Sequence, residues 1–228
     1  MTTLVDLDVM ERYDEAFSGG ADKRYPTLNL VRLEISFFGR EPGRLLDYGF
    51  GTGTNLIHLL ERGHEVDGID VSKAARDKVA AKLADRPDIA SRARLTLLPP
   101  GSARLPFDDG IFDYVVCMSV LSLLTSAERV DAVLDEFARV AKPGAKVVLD
   151  INGPESEFAV YGKALGGDVY EYRGIKGDAR PIRAYCPASA DAFADRVGRR
   201  FAVDDVGFTA HRFLQYAEQE YIVCAHKE

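Results

Sequence analysis

Short apolar runs alternate with amphipathic segments through the middle of the chain. Helical periodicity is clearest at 126–141, where apolar residues recur at three- and four-residue steps after a capping-box pattern formed by Thr125 and Glu128. Further helices are predicted at 54–62, 72–84 and 189–197. The apolar runs have the length and β-branched content of buried strands, and they lie at 44–48, 65–69, 95–98, 112–118 and 145–151.

Strand–helix alternation of this kind predicts βαβ units with right-handed crossovers. Two closing strands are predicted near 208–214 and 220–226. We therefore expect an α/β fold with a doubly wound, mostly parallel seven-stranded sheet and an antiparallel C-terminal strand. Ligands of such sheets bind at the carboxyl ends of the strands, where the strand order reverses.

Two parts of the chain depart from this rhythm. Residues 1–42 are predicted as a helical lid, with Pro26 as the first residue of one helix, and residues 43–228 as the core. Residues 152–187 are rich in glycine and tyrosine and are too long for an ordinary connection. We interpret them as an insertion that closes over the ligand together with the lid, because glycines permit hinging and tyrosines form pocket walls.

The stretch LLDYGFGTGTN, residues 45–55, carries the strongest chemical signal. An apolar strand ends in Asp47 and continues into glycines at 49, 51 and 53, and a helix follows. Glycines allow a sharp turn and close approach of a ligand, and the helix start offers free N–H groups. A dinucleotide site would have the spacing G-x-G-x-x-G, whereas this loop has G-x-G-x-G. An acid at Asp47 suits a ligand with an ammonium group and would repel a pyrophosphate.

This stretch resembles motif I of the class I S-adenosylmethionine-dependent methyltransferases. The resemblance implies a Rossmann-like methyltransferase fold in which this loop wraps the methionine part of S-adenosyl-L-methionine. In the stretch VDGIDVS, Asp70 ends a predicted strand and would then accept hydrogen bonds from the ribose diol, and Val71 would pack on the adenine. The segments at 101–116 and 134–149 resemble later family motifs in the expected order. Where the family often has an aspartate near the adenine, this chain has Ser102.

The candidate site residues follow from these matches and from the expected strand ends. Two are candidate catalytic residues: His211, in a closing strand, and Tyr25, near the sulfonium. The candidate cofactor-binding residues are Tyr25, Arg32, Asp47, Gly49, Gly51, Gly53, Asn55, Asp70, Val71, Ser72, Ser102, Ala103, Met118 and Ser119. We expect no metal, because the three cysteines are far apart and form no ligand-like pair.

Composition narrows the expected partners. The net charge is −7, which disfavours nucleic acid, and the stretch VCMSVLSLL has no proline where DNA and RNA amino-methyltransferases carry theirs. A small-molecule acceptor is therefore expected, with Arg173 and Arg183 available to an acidic one. No signal peptide or membrane-length apolar run is present in these residues, so we expect a cytoplasmic protein without membrane contact, as a monomer or homodimer.

Several alternatives stay open. Methyl transfer from a sulfonium needs mainly alignment, so the residues do not identify a base or distinguish O-, N- and C-methylation. A cofactor-binding protein without methyl transfer, or a nucleic-acid or protein methyltransferase, would share the same motifs. A nicotinamide oxidoreductase is disfavoured by the glycine spacing, and an aminopropyl transferase by the absence of paired acids at Cys117, Met118 and Ser119.

Overall fold

The computed structural model describes residues 3–4, 7–99, 101–174 and 180–228. Its strands are β1 Arg44–Tyr48, β2 Glu65–Asp70, β3 Ala93–Leu97, β4 Phe112–Cys117, β5 Ala141–Asn152, β6 Lys163–Gly166, β7 Val169–Tyr172, β8 Ile182–Tyr185, β9 Ala202–Phe213 and β10 Tyr216–His226. Seven of them form one sheet in the order β3-β2-β1-β4-β5-β10-β9. The order reverses between β1 and β4, so a ligand crevice is expected where these two strands end.

This sheet confirms the predicted fold class. The pairs β1–β2, β2–β3, β1–β4 and β4–β5 are parallel, whereas β10 runs antiparallel to β5 and β9. Parallel strands need crossover helices, and the apolar strands are therefore buried on both faces. The closing strands β9 and β10 are longer than predicted, because they form one continuous hairpin of 12 and 11 residues.

The helices lie on both faces of the large sheet. They are α1 Leu7–Ser18, α2 Leu28–Leu33, α3 Thr54–Glu61, α4 Lys73–Ala84, α5 Pro87–Ala90, α6 Ala127–Val140, α7 Glu157–Val160 and α8 Ala190–Val197, with a π-helical turn at Glu34–Phe38 and a 3₁₀ helix at Leu121–Leu124. One core packs Phe137 of α6 and Phe193 of α8 against the sheet. The other packs Leu30, Leu59 and Val79 of α2, α3 and α4 against the opposite face.

Two predicted helix starts are wrong by one or two residues. Ser126, not Thr125, caps α6 by accepting a hydrogen bond from Arg129 N at 3.3 Å. Thr125 adopts a φ of 64° and leads into the cap. Likewise α2 begins at Leu28 after Thr27, so Pro26 lies before the helix. In both cases a neighbouring residue with extended backbone takes the capping position, which sequence spacing alone does not distinguish.

The insertion after β5 has structure of its own. It contains α7 and a second antiparallel sheet in the order β6-β7-β8. Tyr172 is buried there, with its ring 5.7 Å from the ring of Phe158 and its hydroxyl donating to Glu157. Part of the predicted insertion, 175–179, lies outside the described residues. No helix in the described part of the chain has the length and apolar composition needed to cross a bilayer.

Candidate functional site

The glycine loop between β1 and α3 adopts backbone conformations that need glycine. Gly49, Gly51 and Gly53 have φ of 80°, 52° and 83°. A Cβ at Gly49 would lie 2.3 Å from Val120 Cγ2, and one at Gly53 would lie 2.6 Å from Val79 Cγ2. At Gly51 the nearest atom lies 3.8 Å away, so neighbouring atoms leave space beside this glycine. Gly49 and Gly53 thus fit the fold, while Gly51 borders open space where a ligand can approach.

Asp70 joins this loop to the start of α4. Its Oδ2 accepts a hydrogen bond from Gly51 N, and its Oδ1 accepts one from Ser72 N, each at 2.8 Å. Burial raises the pKa of Asp70, and the backbone donors oppose that shift. Each carboxylate oxygen keeps a further lone pair. The side chain is therefore positioned to accept from a diol without losing its contacts to the loop.

Asp47 is an unpaired acid beneath the loop. It is 2% exposed, and its Oδ2 has no hydrogen-bond partner among the described residues. Burial raises its pKa to about 7, and the charge of Asp70 adds to the effect. A buried carboxylate without a partner is costly, and a nearby ammonium group would relieve that cost. Asp47 is not part of the cavity wall, so such an interaction would run through water or the loop backbone.

A cavity of about 420 Å³ opens above these residues, a volume typical of small-molecule sites. Its wall includes Gly49 and Gly51 of the glycine loop together with Asp70, Val71 and Leu98. Met118 and Ser119 after β4 line it as well. The cavity therefore lies where the fold predicts a ligand, at the carboxyl ends of β1, β2 and β4.

Helix α1 forms a wall of this cavity through Val9, Tyr13 and Phe17. It is attached to α4 by Asp14, whose Oδ1 accepts from Ser72 Oγ at 2.7 Å and from Ala74 N at 2.8 Å. This carboxylate accepts a hydrogen bond from a backbone N–H at the start of α4. Its negative charge also interacts favourably with the positive end of the α4 helix dipole.

The segment after α1 is attached to the glycine-loop region. Lys23 N donates to Thr52 Oγ1 at 3.1 Å, and Thr27 N donates to Asn55 Oδ1 at 2.8 Å. Lys82 of α4 donates to Asp22 Oδ1 at 2.6 Å and to the carbonyl of Thr52 at 2.8 Å. These contacts hold the N-terminal segment over the cofactor side of the sheet.

A second cavity, of about 400 Å³, adjoins the first. The two share Val9 and Tyr13, so Tyr13 stands between them. Burial raises the pKa of the Tyr13 hydroxyl. The second cavity lies between α1 and β8 of the insertion, and its wall also includes Thr125. Arg183, one of the two arginines proposed for an acidic acceptor, lines it, but Glu171 lies 3.8 Å from both Arg173 and Arg183.

The structure brings half of the predicted cofactor residues together in the first cavity. These are Gly49, Gly51, Asn55, Asp70, Val71, Met118 and Ser119. Three others do not line it but are next in the chain to residues that do: Asp47, Gly53 and Ser72. The roles of all of them stay predictions, but their positions agree with the cofactor site.

The remaining predicted residues lie outside the cavity wall. Tyr25 is 80% exposed, and Arg32 is exposed on α2. Ser102 donates its hydroxyl to the carbonyl of Pro99, and neither it nor Ala103 lines the cavity. His211 lies exposed on the outer strand β9, opposite Glu218. Its distance from the cavity follows from the strand order, since β10 and β5 lie between β9 and β4.

Among the cavity residues that were not predicted as site residues from the sequence are Tyr13, Phe17 and Lys23. A signal existed in the pattern of α1, where Val9, Tyr13 and Phe17 recur every four residues. That spacing places them on one helix face. It does not say which part of the sheet that face covers, which depends on tertiary contacts such as those of Asp14 with Ser72 and Ala74.

Comparison with known proteins agrees with this geometry. Residues 46–149 match the family model of a methyltransferase domain. A demethylmenaquinone methyltransferase from Beutenbergia cavernae is 34% identical over 146 residues, which cover 62% of this chain and 54% of that protein. The chain spans between 49% and 64% of the length of the first curated relatives that it matches.

Solved structures share the fold over nearly the whole chain. A SAM-dependent methyltransferase from Methanosarcina mazei has a TM-score of 0.72 at 18% identity, covering 90% of this chain and 99% of that one. The 1,6-didemethyltoxoflavin-N1-methyltransferase of Burkholderia thailandensis has a TM-score of 0.71 at 17% identity, covering 96% and 87%. That structure contains 1,6-didemethyltoxoflavin and S-adenosylhomocysteine.

Proposed function

We propose that this chain, which belongs through residues 46–149 to the class I methyltransferases that use S-adenosylmethionine, transfers the cofactor's methyl group to a small-molecule acceptor. S-adenosylmethionine supplies an electrophilic methyl group on a positively charged sulfur. The work left to the chain is to bind the cofactor, to align an acceptor atom with the methyl group and to exclude water.

The observation that carries the proposal is the joint position of Asp70 and the glycine loop under a cavity of about 420 Å³. Asp70 would hold the ribose, Val71 and Leu98 would contact the adenine, and Gly51 would border the methionine part. The orphaned Oδ2 of Asp47 fits a positively charged ligand group nearby. All of these features agree with S-adenosylmethionine, and the acid at Asp47 disagrees with a pyrophosphate ligand.

The enclosure of the site supports a small acceptor. Helix α1 covers the first cavity, and the second, of about 400 Å³, opens between α1 and the insertion. Both cavities are of small-molecule size, which fits a small acceptor that enters as a whole. The named relatives act on chemically different acceptors, a demethylmenaquinone and a toxoflavin precursor. Their names therefore support a small molecule without selecting one.

The proposal is tested by incubating the protein with S-adenosylmethionine and fractionated metabolites, and by searching for products heavier by one methylene unit. The control variants are Asp70→Ala, which should lose the activity, and Asp77→Ala, which changes an exposed acid on α4 and should keep it. Cofactor binding without any methylated product across broad acceptor sets would favour a binding protein over an enzyme.

We further propose that α1 and the insertion at 152–187 together close over the acceptor. Both cavities share Val9 and Tyr13, and of these two side chains only Tyr13 has a polar group, so its hydroxyl should face cofactor and acceptor at once. Tyr13→Phe should lower the rate of methyl transfer by about tenfold, the effect of losing one hydrogen bond of ordinary strength, and leave cofactor affinity within a few fold. Tyr25→Phe is the matched control, because Tyr25 is 80% exposed. Equal effects of the two variants on the rate would contradict this arrangement.

A further inference from the structure

A second group of buried acids lies at the same edge of the sheet, beyond β4. Asp150 is near the end of β5, and Glu220 is near the start of the antiparallel strand β10. In the strand register Asp150 lies opposite Ile222, and Glu220 lies opposite Asn152. Asp150 and Glu220 therefore project from the same face of two adjacent strands, on a diagonal. They are 1% and 8% exposed.

Asp150 has one satisfied and one unsatisfied oxygen. Its Oδ1 accepts a hydrogen bond from Ser119 N at 2.5 Å. Its Oδ2 is buried and has no partner among the described residues. Ser119 lines the cofactor cavity and holds a φ of 61°, which few residues other than glycine adopt. Asp150 therefore lies directly behind the part of the cavity wall where β4 ends.

The charges around this pair are mostly negative. Burial raises the pKa of Asp150 well above its usual value, and the charge of Glu220 adds to the shift. Burial also raises the pKa of Glu220, with Glu218 adding to it. Lys23 lowers the pKa of both groups, and Asn29 and His211 lower that of Glu220. The group therefore contains three carboxylates, of Asp150, Glu218 and Glu220. The other groups that act on them are one lysine, one amide and one exposed histidine.

The fold itself does not account for these acids. The positions beside them on the same sheet face, Val148 on β5 and Cys224 on β10, belong to the apolar core. A buried carboxylate oxygen without a donor is unfavourable and rare in folded proteins. Ion pairs satisfy many other acids of this chain, such as Asp67 with Arg44 at 2.8 Å. An unsatisfied acid that adjoins a ligand cavity is a candidate contact for the ligand.

We propose that Asp150 and Glu220 form a subsite for the positively charged nitrogen of an amine-bearing acceptor. This inference rests on the proposed methyl transfer to a small molecule. A protonated amine supplies the N–H donor that Asp150 Oδ2 lacks and adds positive charge to a group in which carboxylates outnumber the single lysine. The pair lies across β4 from Asp47 and Asp70, so it is separate from the acids that serve the cofactor. Lys23, which lines the cavity and whose charge reaches both carboxylates, supplies part of that charge in the absence of an acceptor.

The subsite is tested with probe molecules in matched sets: primary and secondary amines of varied carbon skeleton, each with its alcohol and carboxylic-acid counterpart. The protein is first saturated with S-adenosylhomocysteine, and the shift of the melting temperature is measured for each probe. The same sets are then incubated with S-adenosylmethionine, and methylated products are measured by mass. The variants are Asp150→Asn and Glu220→Gln, which keep shape and remove charge. The control is Asp205→Asn, which removes an exposed acid of β9.

Amines are expected to raise the melting temperature of the saturated wild-type protein, whereas their alcohol and acid counterparts are not. Asp150→Asn and Glu220→Gln should raise at least tenfold the amine concentration that gives the same shift of the melting temperature, while cofactor affinity stays within twofold. Asp205→Asn should leave the response to amines unchanged. Equal responses to amines and alcohols, or an amine response that survives both variants, would overturn the subsite. The same conclusion follows if no amine in the sets shifts the melting temperature.

The two proposals fail in different ways. Amine-dependent stabilisation that requires Asp150 and Glu220, without any methylated product, would support the subsite and contradict the methyl transfer. Methylated products from alcohols or acids alone, unaffected by the two variants, would support methyl transfer and overturn the subsite.

Discussion

Two halves of the same sheet edge differ in how they are built. The cofactor half, at the ends of β1 and β2, consists of the glycine loop and Asp70. Both lie in a single stretch of 26 residues, from Leu45 to Asp70. The other half, at the ends of β4 and β5, combines Ser119, Asp150 and Glu220, which are far apart in sequence. Both halves contain a buried acid with an orphaned oxygen, Asp47 in one and Asp150 in the other.

This difference explains why the cofactor half can be recognised from the sequence and the other half cannot. The cofactor half depends on local backbone geometry, since positive φ angles and short-range hydrogen bonds demand particular residues at fixed spacing. The other half depends on strand order, which brings β10 next to β5 in an antiparallel pair. A site for a common cofactor can therefore be recognised as a sequence motif. A site for an individual acceptor consists of side chains that are distant in sequence and meet only in the folded protein.

The largest effect is expected from Gly49→Ala in the cofactor half. The change combines strain at a φ of 80° with a Cβ 2.3 Å from Val120 Cγ2. It should lower the free energy of unfolding by roughly 2–5 kcal/mol, as strain and overpacking act together. Gly144→Ala is the matched control, with the same φ of 80° and no atom within 4 Å. Urea denaturation measures the free energy of unfolding of both variants, and the difference between their losses gives the cost of the clash apart from the backbone strain. Equal losses in the two variants would contradict the close approach of Val120.

The pH dependence of stability should reveal the orphaned acid of the cofactor half. Because burial raises the pKa of Asp47 to about 7, the folded state keeps a proton that the unfolded state releases above pH 4. This contribution to stability therefore falls as pH rises from about 4 to 7, by at most roughly 4 kcal/mol, and stays low above that range. Asp47→Asn should remove this fall.

The measurement is the free energy of unfolding of wild type and Asp47→Asn without ligand at several pH values between about 4 and 8. Asp150, whose pKa is also raised, contributes to both proteins and cancels in the difference. Asp70 interacts with Asp47, so the difference reports the titration of Asp47 together with its coupling to Asp70. A difference that does not change with pH would show that Asp47 titrates normally. Asp77→Asn, at an exposed position, provides the reference curve.

A smaller effect is expected on cofactor binding from Asp70→Ala. The variant should weaken S-adenosylmethionine binding by about 1.5–3 kcal/mol, the range for hydrogen bonds to a charged group. Part of the loss should come from the loop, because Gly51 N and Ser72 N lose their acceptor. Calorimetry with Asp77→Ala as the control measures it. Unchanged affinity in a folded Asp70→Ala variant would refute the ribose contact.

The smallest effect is expected from Asp14→Ala, which releases α1 from α4. Loss of the contacts to Ser72 Oγ and Ala74 N should cost about 1 kcal/mol of stability, as for the loss of a helix cap. It should also speed cofactor dissociation, because α1 covers the cavity. Asp14→Asn keeps the Oδ1 acceptor and should behave nearly as wild type. Stopped-flow dissociation of the cofactor that is equal in all three proteins would show that α1 does not retain it.

Sequence patterns were sufficient for the seven strands of the large sheet in chain order, for the main helices between them and for the site of the glycine loop, but not for α5, α7 or the small sheet of β6, β7 and β8. They did not indicate where the side chains of Tyr25, His211 and Arg32 would lie relative to the cavity, and in the structure these three residues lie outside its wall. Each belongs to a correctly predicted kind of element, an N-terminal segment or a closing strand. The directions of their side chains depend on how those elements pack against the rest of the protein. The periodicity within one element carries no information about that packing.

What the sequence by itself determined is therefore local: the βα alternation, the backbone that glycines at 49, 51 and 53 require, and the acid at Asp70 that follows a strand. Hydrophobic periodicity and glycine conformations act over a few residues, so they can be read along the chain. The tertiary structure alone decided that Tyr13 separates two cavities and that Asp150 and Glu220 share a face. These contacts form only when distant segments pack together, because long-range packing and sheet register, rather than local preference, determine them.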